Sequence, residues 1–272
     1  MSVYTKPYAE RDGSEFAVYP NLTIEYRDAS HRYWLHADGE RKPTVSVTGA
    51  LKVLDKPALL SWAERCGAEG AARLAKMGEL DNVMPEAAIE FVRMHKLGMD
   101  AKRDAGADRG TAAHTVLETW MADGTIPKLG DFEADERGYV KGLSRFLITH
   151  EPEPVAIEVI VGSVKHDFAG RLDMIANLGG RRLLIDLKTS PWARIYPEAH
   201  MQTCGYSLAL PECGIEPVDG ILIVAVAADG EFVTSEGFAE DQDFLNILAT
   251  HRSMGRLRAA VKEHELLTEA TA

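Results

Sequence analysis

The chain has 272 residues, of which 46% are hydrophobic and 26% are charged, a composition typical of globular proteins and not of disordered ones. Its formal net charge of −12 excludes a surface that coats nucleic acid non-specifically. No apolar run is long enough for a membrane span, and Met1–Lys6 lacks the apolar stretch of a secretory signal. The three cysteines are scattered along the chain, which favours a reducing compartment. We therefore expect a cytoplasmic protein.

The first part of the chain predicts a strand hairpin followed by helices. Residues 33–35 and 43–48 have strand character, and Asp38–Gly39 between them is typical of a hairpin turn. Apolar residues at helical spacing then predict a helix over 58–75. Further helices are expected over 81–97, from 101 or 107 to 121, and over 131–149.

The second part of the chain predicts strands interrupted by single helices. The strands are expected over 155–161, 168–176, 183–187, 221–227 and 231–234, and the helices over 197–210 and 241–267. This order predicts an α/β protein with a central mixed β-sheet flanked by helices and an N-terminal, mostly helical extension. We place the extension in residues 1–105 and the core in residues 106–272, within one compact unit.

A hairpin in the core carries a distinctive group of charges. Gly179–Gly180 is a two-residue turn signal, and that turn places Asp173 directly opposite Asp186. Directly opposed residues have Cβ atoms about 5 Å apart, so two carboxylates there repel each other unless a cation lies between them. Lys188 is two residues beyond Asp186 and therefore points to the same face of the sheet.

Two carboxylates and an ammonium on one face suit metal-assisted hydrolysis of phosphodiesters. Mg²⁺ prefers carboxylate oxygens, and a bound metal polarises the phosphoryl group and acidifies a water molecule. Glu158 on the preceding strand is either a third carboxylate of this group or a solvated edge-strand charge. His114 is either a metal ligand, since imidazole accepts Mn²⁺, or a structural histidine.

Four short motifs occur in a fixed order along the chain. They are G-T-A-A-H at Gly110–His114, G-R-L-D at Gly170–Asp173, I-D-L-K-T at Ile185–Thr189 and Q-T-C-G-Y at Gln202–Tyr206. With these motifs the chain resembles the PD-(D/E)xK nuclease superfamily, in its RecB-like branch of Cas4-type and phage recombination exonucleases. The resemblance covers residues 108–210, and residues 43–63 also resemble the N-terminal part of phage members.

The resemblance implies a restriction-endonuclease-like core and a metal-dependent deoxyribonuclease, acting from DNA ends in phage or bacterial recombination or repair. It implies that His114, Asp173 and Asp186 bind Mg²⁺ or Mn²⁺, with the Leu187 backbone carbonyl as a further ligand. Glu158 is a further candidate for the metal. Asp173, Asp186 and Lys188 would then be the catalytic residues.

DNA contacts are expected from two helices. The resemblance implies that Gln202 and Tyr206 support DNA binding, and Arg109, Lys102 and Arg103 lie just before His114 as candidate phosphate contacts. The expected partners are linear DNA with free ends and a recombination protein such as a single-strand annealing protein, with no membrane. Many Cas4-type proteins hold an iron–sulfur cluster on four cysteines, and because this chain has three cysteines we expect no such cluster.

Two other classes of protein remain open. The first is a catalytically inactive DNA-binding relative, against which the intact Asp173, Asp186 and Lys188 argue. The second is a non-enzymatic interaction protein whose acidic hairpin holds structural calcium. Lys188 argues against that class, because an ammonium beside a calcium site weakens cation binding.

Overall fold

A computed structural model describes residues 8–81 and 83–271, which form a mixed α/β fold with helices on both faces of a large central sheet. The predicted fold class is therefore confirmed. The segment Met1–Lys6, assessed above for a secretory signal, lies outside the described residues. Among the helices that are described, none combines the length and the apolar character needed to cross a membrane.

The chain begins with an antiparallel meander. Its five strands are β1 (Tyr8–Arg11), β2 (Ser14–Tyr19), β3 (Leu22–Arg27), β4 (Arg32–Ala37) and β5 (Glu40–Ser46). The predicted hairpin around Asp38–Gly39 is confirmed as the β4–β5 turn, in which both residues have positive φ. Strands β1–β3 were not predicted.

The remaining strands form the centre of the sheet. They are β6 (Glu153–Ser163), β7 (Phe168–Leu178), β8 (Arg181–Thr189), β9 (Gly220–Val226) and β10 (Phe232–Glu236). Within the described residues the sheet runs β1-β2-β3-β4-β5-β7-β8-β9-β10, and β6 pairs with the other edge of β7. The β5–β7 and β8–β9 pairs are parallel and the others are antiparallel, so the sheet is mixed as predicted.

The helices cover the two faces of this sheet. They are α1 (Val47–Ala50), α2 (Pro57–Lys76), α3 (Pro85–Met94), α4 (Met99–Asp123), α5 (Arg137–His150), α6 (Pro197–Ala209) and α7 (Asp241–Thr271). Helices α4 and α5 share one apolar core with the central strands. Helices α1, α6 and α7 share a second core, which also includes side chains from the meander.

The N-terminal extension is joined to the core in two ways. Strand β5 continues the sheet onto β7 through the pairs Val45↔Phe168 and Ser46↔Ala169. Helix α4 runs without interruption through the predicted boundary between residues 105 and 106. The division of the chain at that boundary stays a prediction, and the structure places the boundary inside a helix.

One edge of β7 changes partner along its length. Phe168 and Ala169 pair with β5, and residues 174–178 pair with β8. In the part of the chain described here, no ladder pair joins residues 170–173 to either of those strands. The gap coincides with the G-R-L-D motif, and the candidate site lies there.

Candidate metal centre

Three elements bring an imidazole and two carboxylates together at this gap. His114 on α4, Glu158 on β6 and Asp173 on β7 each offer a ligand atom, and these atoms lie within 4.8 Å of one another. Asp186, Leu187 and Lys188 follow on β8, the strand that diverges from β7 here. The structure therefore brings together the predicted ligands His114 and Asp173, and it includes Glu158 in the same cluster.

The local sequence of α4 explains why His114 reaches the sheet. Ala112 and Ala113 are buried, so their small side chains let the helix lie close to the strands. Gly110, one turn earlier, also faces β8, because a Cβ added there would lie 3.8 Å from Thr189 Oγ1. The small residues of the G-T-A-A-H motif thus let α4 pack closely on the sheet, and this packing places His114 in the site.

Glu158 has an unusual backbone conformation within β6. Its neighbours Ile157 and Val159 pair with β7, whereas Glu158 itself has a φ of +50°. A non-glycine residue in the left-handed region is strained, and such strain clusters at functional sites. Its carboxylate Oε1 lies 2.6 Å from His114 Nδ1 and the residue is buried, so Glu158 is not a solvated edge-strand charge.

The predicted hairpin register is correct, but the ladder ends one pair before Asp173 and Asp186 would face each other. The β7–β8 hairpin has the expected register from Leu178↔Arg181 to Met174↔Ile185, where the ladder ends. Asp173 Oδ2 instead accepts a hydrogen bond of 2.7 Å from the Leu187 backbone N–H. The two carboxylates therefore do not form a cross-strand pair, because β8 has already left β7 at this point.

Asp186 and Lys188 form an ion pair inside the site. Asp186 is fully buried, and Lys188 Nζ lies 2.5 Å from its Oδ2, which confirms that the two side chains share a face. Among the described residues, Asp186 Oδ1 has no hydrogen-bond donor. A buried oxygen without a donor is costly, and a cation is the kind of group that would satisfy it.

The electrostatics of the cluster follow from burial and mutual proximity. Burial raises the pKa of Asp186 to about 6 and also raises the pKa of Asp173, although the Lys188 charge opposes both shifts. For His114, burial lowers the pKa, but the hydrogen bond that His114 donates to Glu158 and the charges of Asp173 and Glu158 prevail and raise it to about 9. Near neutral pH, protonated His114 and Lys188 balance part of the negative charge.

These donors fit a hard divalent cation. Carboxylate oxygens are the ligands that Mg²⁺ and Mn²⁺ prefer, and an imidazole is compatible with Mn²⁺. The Leu187 carbonyl, predicted as a further ligand, lies 3.5 Å from Lys188 Nζ and so borders the same group of charges. The buried Asp186 Oδ1, which has no hydrogen-bond donor among the described residues, independently favours a bound cation.

Gln202 and Tyr206 lie on α6 and contact each other. Gln202 Nε2 donates a hydrogen bond of 2.9 Å to Tyr206 Oη. Tyr206 is only 2% exposed, and burial, helped by the charges of Asp186 and Asp173, raises its pKa well above the usual range. Little of this ring is open to a DNA strand, and support of DNA binding by Tyr206 stays a prediction. Contact by the half-buried Gln202 stays a prediction.

The predicted basic contacts on α4 already have acidic partners. Lys102 Nζ lies 2.6 Å from Glu69, Arg103 contacts Asp100 and Asp104 on its own helix, and Arg109 lies 3.3 Å from Asp135. At 1.5 Å per residue, Lys102 is roughly 18 Å along the helix from His114. Arg109 is closer, at about 8 Å by the same rise. DNA contact by these three residues stays a prediction.

His200 on α6 is a buried residue that the sequence analysis did not single out. Its Nδ1 has no hydrogen-bond partner among the described residues. Burial lowers the pKa of His200 below its usual value, although the nearby charge of Asp186 opposes this shift. Since His200 precedes Gln202 by two positions, it points to another side of α6, and no motif drew attention to it.

The three cysteines lie on separate elements. Cys66 is on α2, Cys204 on α6 and Cys213 in the turn after α6, and all are buried free thiols. Cys204 Sγ lies 3.5 Å from Asp241 Oδ1. The expectation that the protein holds no iron–sulfur cluster stays a prediction.

Comparisons with known proteins give a limited result. No protein-family model and no curated protein matches the chain. Among solved structures, the chain is similar to an alkaline exonuclease from Laribacter hongkongensis, LHK-Exo, at 15% identity and a TM-score of 0.31, over 58% of this chain and 84% of that one. The complex of LHK-Exo with dAMP matches at 16% identity and the same TM-score, over 58% and 85%.

A protein named SSO0001 is also similar, at 18% identity and a TM-score of 0.29, over 42% of this chain. The match spans only 56% of the SSO0001 chain.

Proposed function

We propose that the chain is a metal-dependent DNA nuclease of the PD-(D/E)xK type that hydrolyses phosphodiesters from DNA ends. The observation that carries the proposal is the convergence of His114, Glu158 and Asp173 within 4.8 Å, beside the buried Asp186–Lys188 pair. We place its role in recombination or repair in bacterial or phage-infected cytoplasm, together with a protein such as a single-strand annealing protein.

In this proposal the metal would be Mg²⁺ or Mn²⁺, held by His114, Glu158, Asp173 and Asp186 with the Leu187 carbonyl. When bound, such an ion polarises the phosphoryl group and lowers the pKa of a water molecule. His114 must be neutral to act as a ligand, so its proton leaves when the metal arrives. Glu158 Oε1 accepts the hydrogen bond from His114 Nδ1 and so fixes the orientation of the imidazole ring.

Lys188 has a separate task in the proposed mechanism. The ion pair with Asp186 keeps its ammonium charged and holds it at the edge of the cluster, where its side chain is partly exposed. From there it can orient the attacking water and stabilise charge that develops on the phosphate. Gln202 and Tyr206 are hydrogen-bonded within α6, and Tyr206 is close enough to Asp186 for that carboxylate to affect its pKa.

The decisive experiment incubates the purified protein with linear and with covalently closed circular DNA, with and without Mg²⁺ or Mn²⁺. We expect metal-dependent degradation of the linear DNA alone, and its loss in Asp186→Asn. Asp81→Asn, a change at an exposed acid outside the site, is the matched control and should cleave normally.

Each alternative class has its own outcome when DNA binding and Ca²⁺ binding are measured beside cleavage. DNA binding without cleavage under every metal condition would identify an inactive DNA-binding relative. Calcium binding without DNA binding would identify a metal-stabilised interaction protein. Cleavage of circular DNA would contradict the requirement for an end.

A further inference from the structure

The segment 190–196, between β8 and α6, is firmly held to the sheet. Ser190 N–H donates to the Val226 carbonyl at 3.1 Å, and Arg194 N–H donates to Ser190 Oγ at 2.9 Å. Ala193 is buried and packs with Ala225 and Ala227 of the neighbouring strand region. Its φ of +48° shows that the backbone is turned to place this small side chain inward.

The same segment directs its large side chains outward. Trp192 is 74% exposed and Tyr196 is 46% exposed, and they flank the exposed Arg194. Arg194 forms no ion pair with the residues that the structure describes. A fixed segment that exposes two aromatic rings and a guanidinium leaves a large apolar surface without cover, and such surfaces mark binding sites.

This surface lies next to the candidate metal centre. Trp192 follows Lys188 by four residues, so their Cα atoms are at most about 14 Å apart. From the other side, Phe238 before α7 is also 74% exposed and packs on His200 with ring centroids 3.8 Å apart. His200 in turn is close enough to Asp186 for the carboxylate to affect its pKa. Exposed aromatic rings from two segments are thus linked to the centre, Trp192 by four residues of chain and Phe238 through its contact with His200.

We propose that Trp192, Tyr196 and Phe238 stack on unpaired nucleobases of the strand whose phosphate occupies the centre, so that the substrate is a single-stranded or frayed DNA end. The proposal rests on the proposed nuclease function. Aromatic faces bind every base by stacking and need no positive surface, which suits a chain with a net charge of −12. Arg194 adds a planar cation that can stack on a base or contact a phosphate.

Trp192 lies four residues beyond Lys188, and this proximity to the proposed phosphodiester site favours DNA bases over a protein as the occupant. A base pair buried within a duplex has no free face for an aromatic ring. A duplex with a blunt end would therefore use this surface only after its end has opened.

The test measures binding separately from cleavage. In EDTA, fluorescence anisotropy compares three labelled probes of about 12 units: oligothymidylate, an abasic strand with the same phosphates, and a blunt duplex. Wild type is expected to bind oligothymidylate about tenfold more tightly than the abasic strand. Trp192→Ala should lose about tenfold in affinity for oligothymidylate and nothing for the abasic strand, while Trp192→Phe should retain most of the affinity.

Ile148→Ala on α5 is the matched control, since it also removes a large exposed apolar side chain, 65% exposed, outside this surface. If Trp192→Ala lowers the melting temperature, Tyr196→Ala and Phe238→Ala provide the same test. Equal affinity of Trp192→Ala and Ile148→Ala for oligothymidylate would overturn the inference. If wild type still cleaves linear DNA in that case, the proposed function stands; if wild type neither binds nor cleaves DNA, both fail.

Discussion

At the scale of single residues, Lys188 lies in surroundings that hold its side chain charged. It is the one cation of the β8 segment that follows Asp186, and its ammonium lies against a fully buried carboxylate. Burial lowers the pKa of Lys188, but the charges of Asp186 and Asp173 prevail and raise it. The side chain therefore stays protonated near neutral pH and can act as a fixed positive charge.

Lys188→Met is expected to reduce the rate of DNA hydrolysis far more than DNA affinity. A preorganised charge acts mainly in the transition state, and its loss typically costs about 10²–10³ in kcat. Binding depends on many phosphate contacts, so the slope of log affinity against log salt should change by only about one unit. The single-turnover rate at saturating DNA measures the effect, and Lys165→Met at an exposed loop position is the control. A near wild-type rate in Lys188→Met would remove it from the catalytic residues.

Asp173→Asn is expected to weaken metal binding without disturbing the strand. The amide oxygen can still accept the hydrogen bond from Leu187 N–H, whereas the negative charge for the metal is lost. A ligand at about 100 times its Kd stabilises the native state by about 2.7 kcal/mol. This corresponds to a rise in melting temperature of about 5–10 °C for Mn²⁺ with wild type, and we expect a smaller rise with Asp173→Asn.

Asp81→Asn should respond to Mn²⁺ like wild type. Equal shifts in the wild type and in Asp173→Asn would show that the ion binds elsewhere.

The residue types of the site could be predicted from sequence better than their contacts. His114, Asp173, Asp186 and Lys188 stand in recognisable motifs, and the structure gathers them. Glu158 could not be assigned, because its place in the cluster depends on a left-handed backbone within a strand that no pattern of alternation reveals.

Among the structural elements, the contact of β7 with α6 explains the glycine of G-R-L-D. A Cβ at Gly170 would lie 2.6 Å from Tyr206 Cε1 and 3.1 Å from Val47 Cγ2. Only a residue without a side chain lets the tyrosine ring lie against the strand. The motif glycine and the motif tyrosine are therefore two halves of one packing contact.

Gly170→Ala is expected to lower the melting temperature by about 3–10 °C, since overpacking of a core costs about 1–3 kcal/mol. Displacement of Tyr206 should also reduce hydrolysis measured well below the melting temperature. Gly255→Ala is the matched control, because a Cβ there meets nothing within 4 Å and alanine favours the helix. An unchanged melting temperature in Gly170→Ala would contradict this packing.

In the meander, the buried Glu25 carboxylate is paired with Arg41 and His36, and this group makes the stability of the fold depend on pH. Arg41 donates to both oxygens of Glu25, at 2.8 and 2.9 Å, and His36 Nε2 lies 3.0 Å away. The Arg41 hydrogen bonds, against burial and with help from His36, lower the pKa of Glu25 from 4.5 to about 2. A carboxyl with a lowered pKa stabilises the fold above its unfolded value, and the contribution is lost as pH falls toward 2.

Glu25→Gln is therefore expected to be less stable than wild type at neutral pH, and the difference in melting temperature should shrink as pH falls from 4.5 toward 2. Thermal unfolding followed across this pH range measures the effect. Glu40→Gln, at an exposed position on β5, is the matched control. A difference in melting temperature between Glu25→Gln and wild type that does not change with pH would refute the assigned role of the carboxylate.

The hairpin shows how far turn chemistry determines an element. The Gly179–Gly180 turn sets the register, and every pair from Leu178↔Arg181 to Met174↔Ile185 follows it. Where β8 leaves β7 is decided by other contacts, among them the bond from Leu187 N–H to Asp173. The turn residues thus determine where such a ladder starts, whereas tertiary contacts determine where it ends.

At the scale of the whole molecule, the meander extends the central sheet and shares its core. Strands β1–β3 were not predicted, although L-T-I-E-Y-R of β3 alternates apolar and polar residues in the manner of a half-buried strand. Ile24 and Leu35 nevertheless belong to the same core as Phe168 and Phe244. A Cβ at Gly162 of β6 would lie 2.9 Å from Ile24 Cδ1, which shows how closely the two parts pack.

This shared core leads us to expect that the whole chain unfolds in one transition. Ile24 is fully buried, so Ile24→Ala should cost about 2–5 kcal/mol and lower that single melting temperature by about 5–15 °C. Far-ultraviolet circular dichroism and tryptophan fluorescence should report the same midpoint, and Mn²⁺ should shift both probes together. Val18→Ala on the exposed side of β2 is the control and should have little effect. Two separate transitions, with only the first moved by Ile24→Ala and only the second moved by Mn²⁺, would instead show that the meander folds independently of the metal centre.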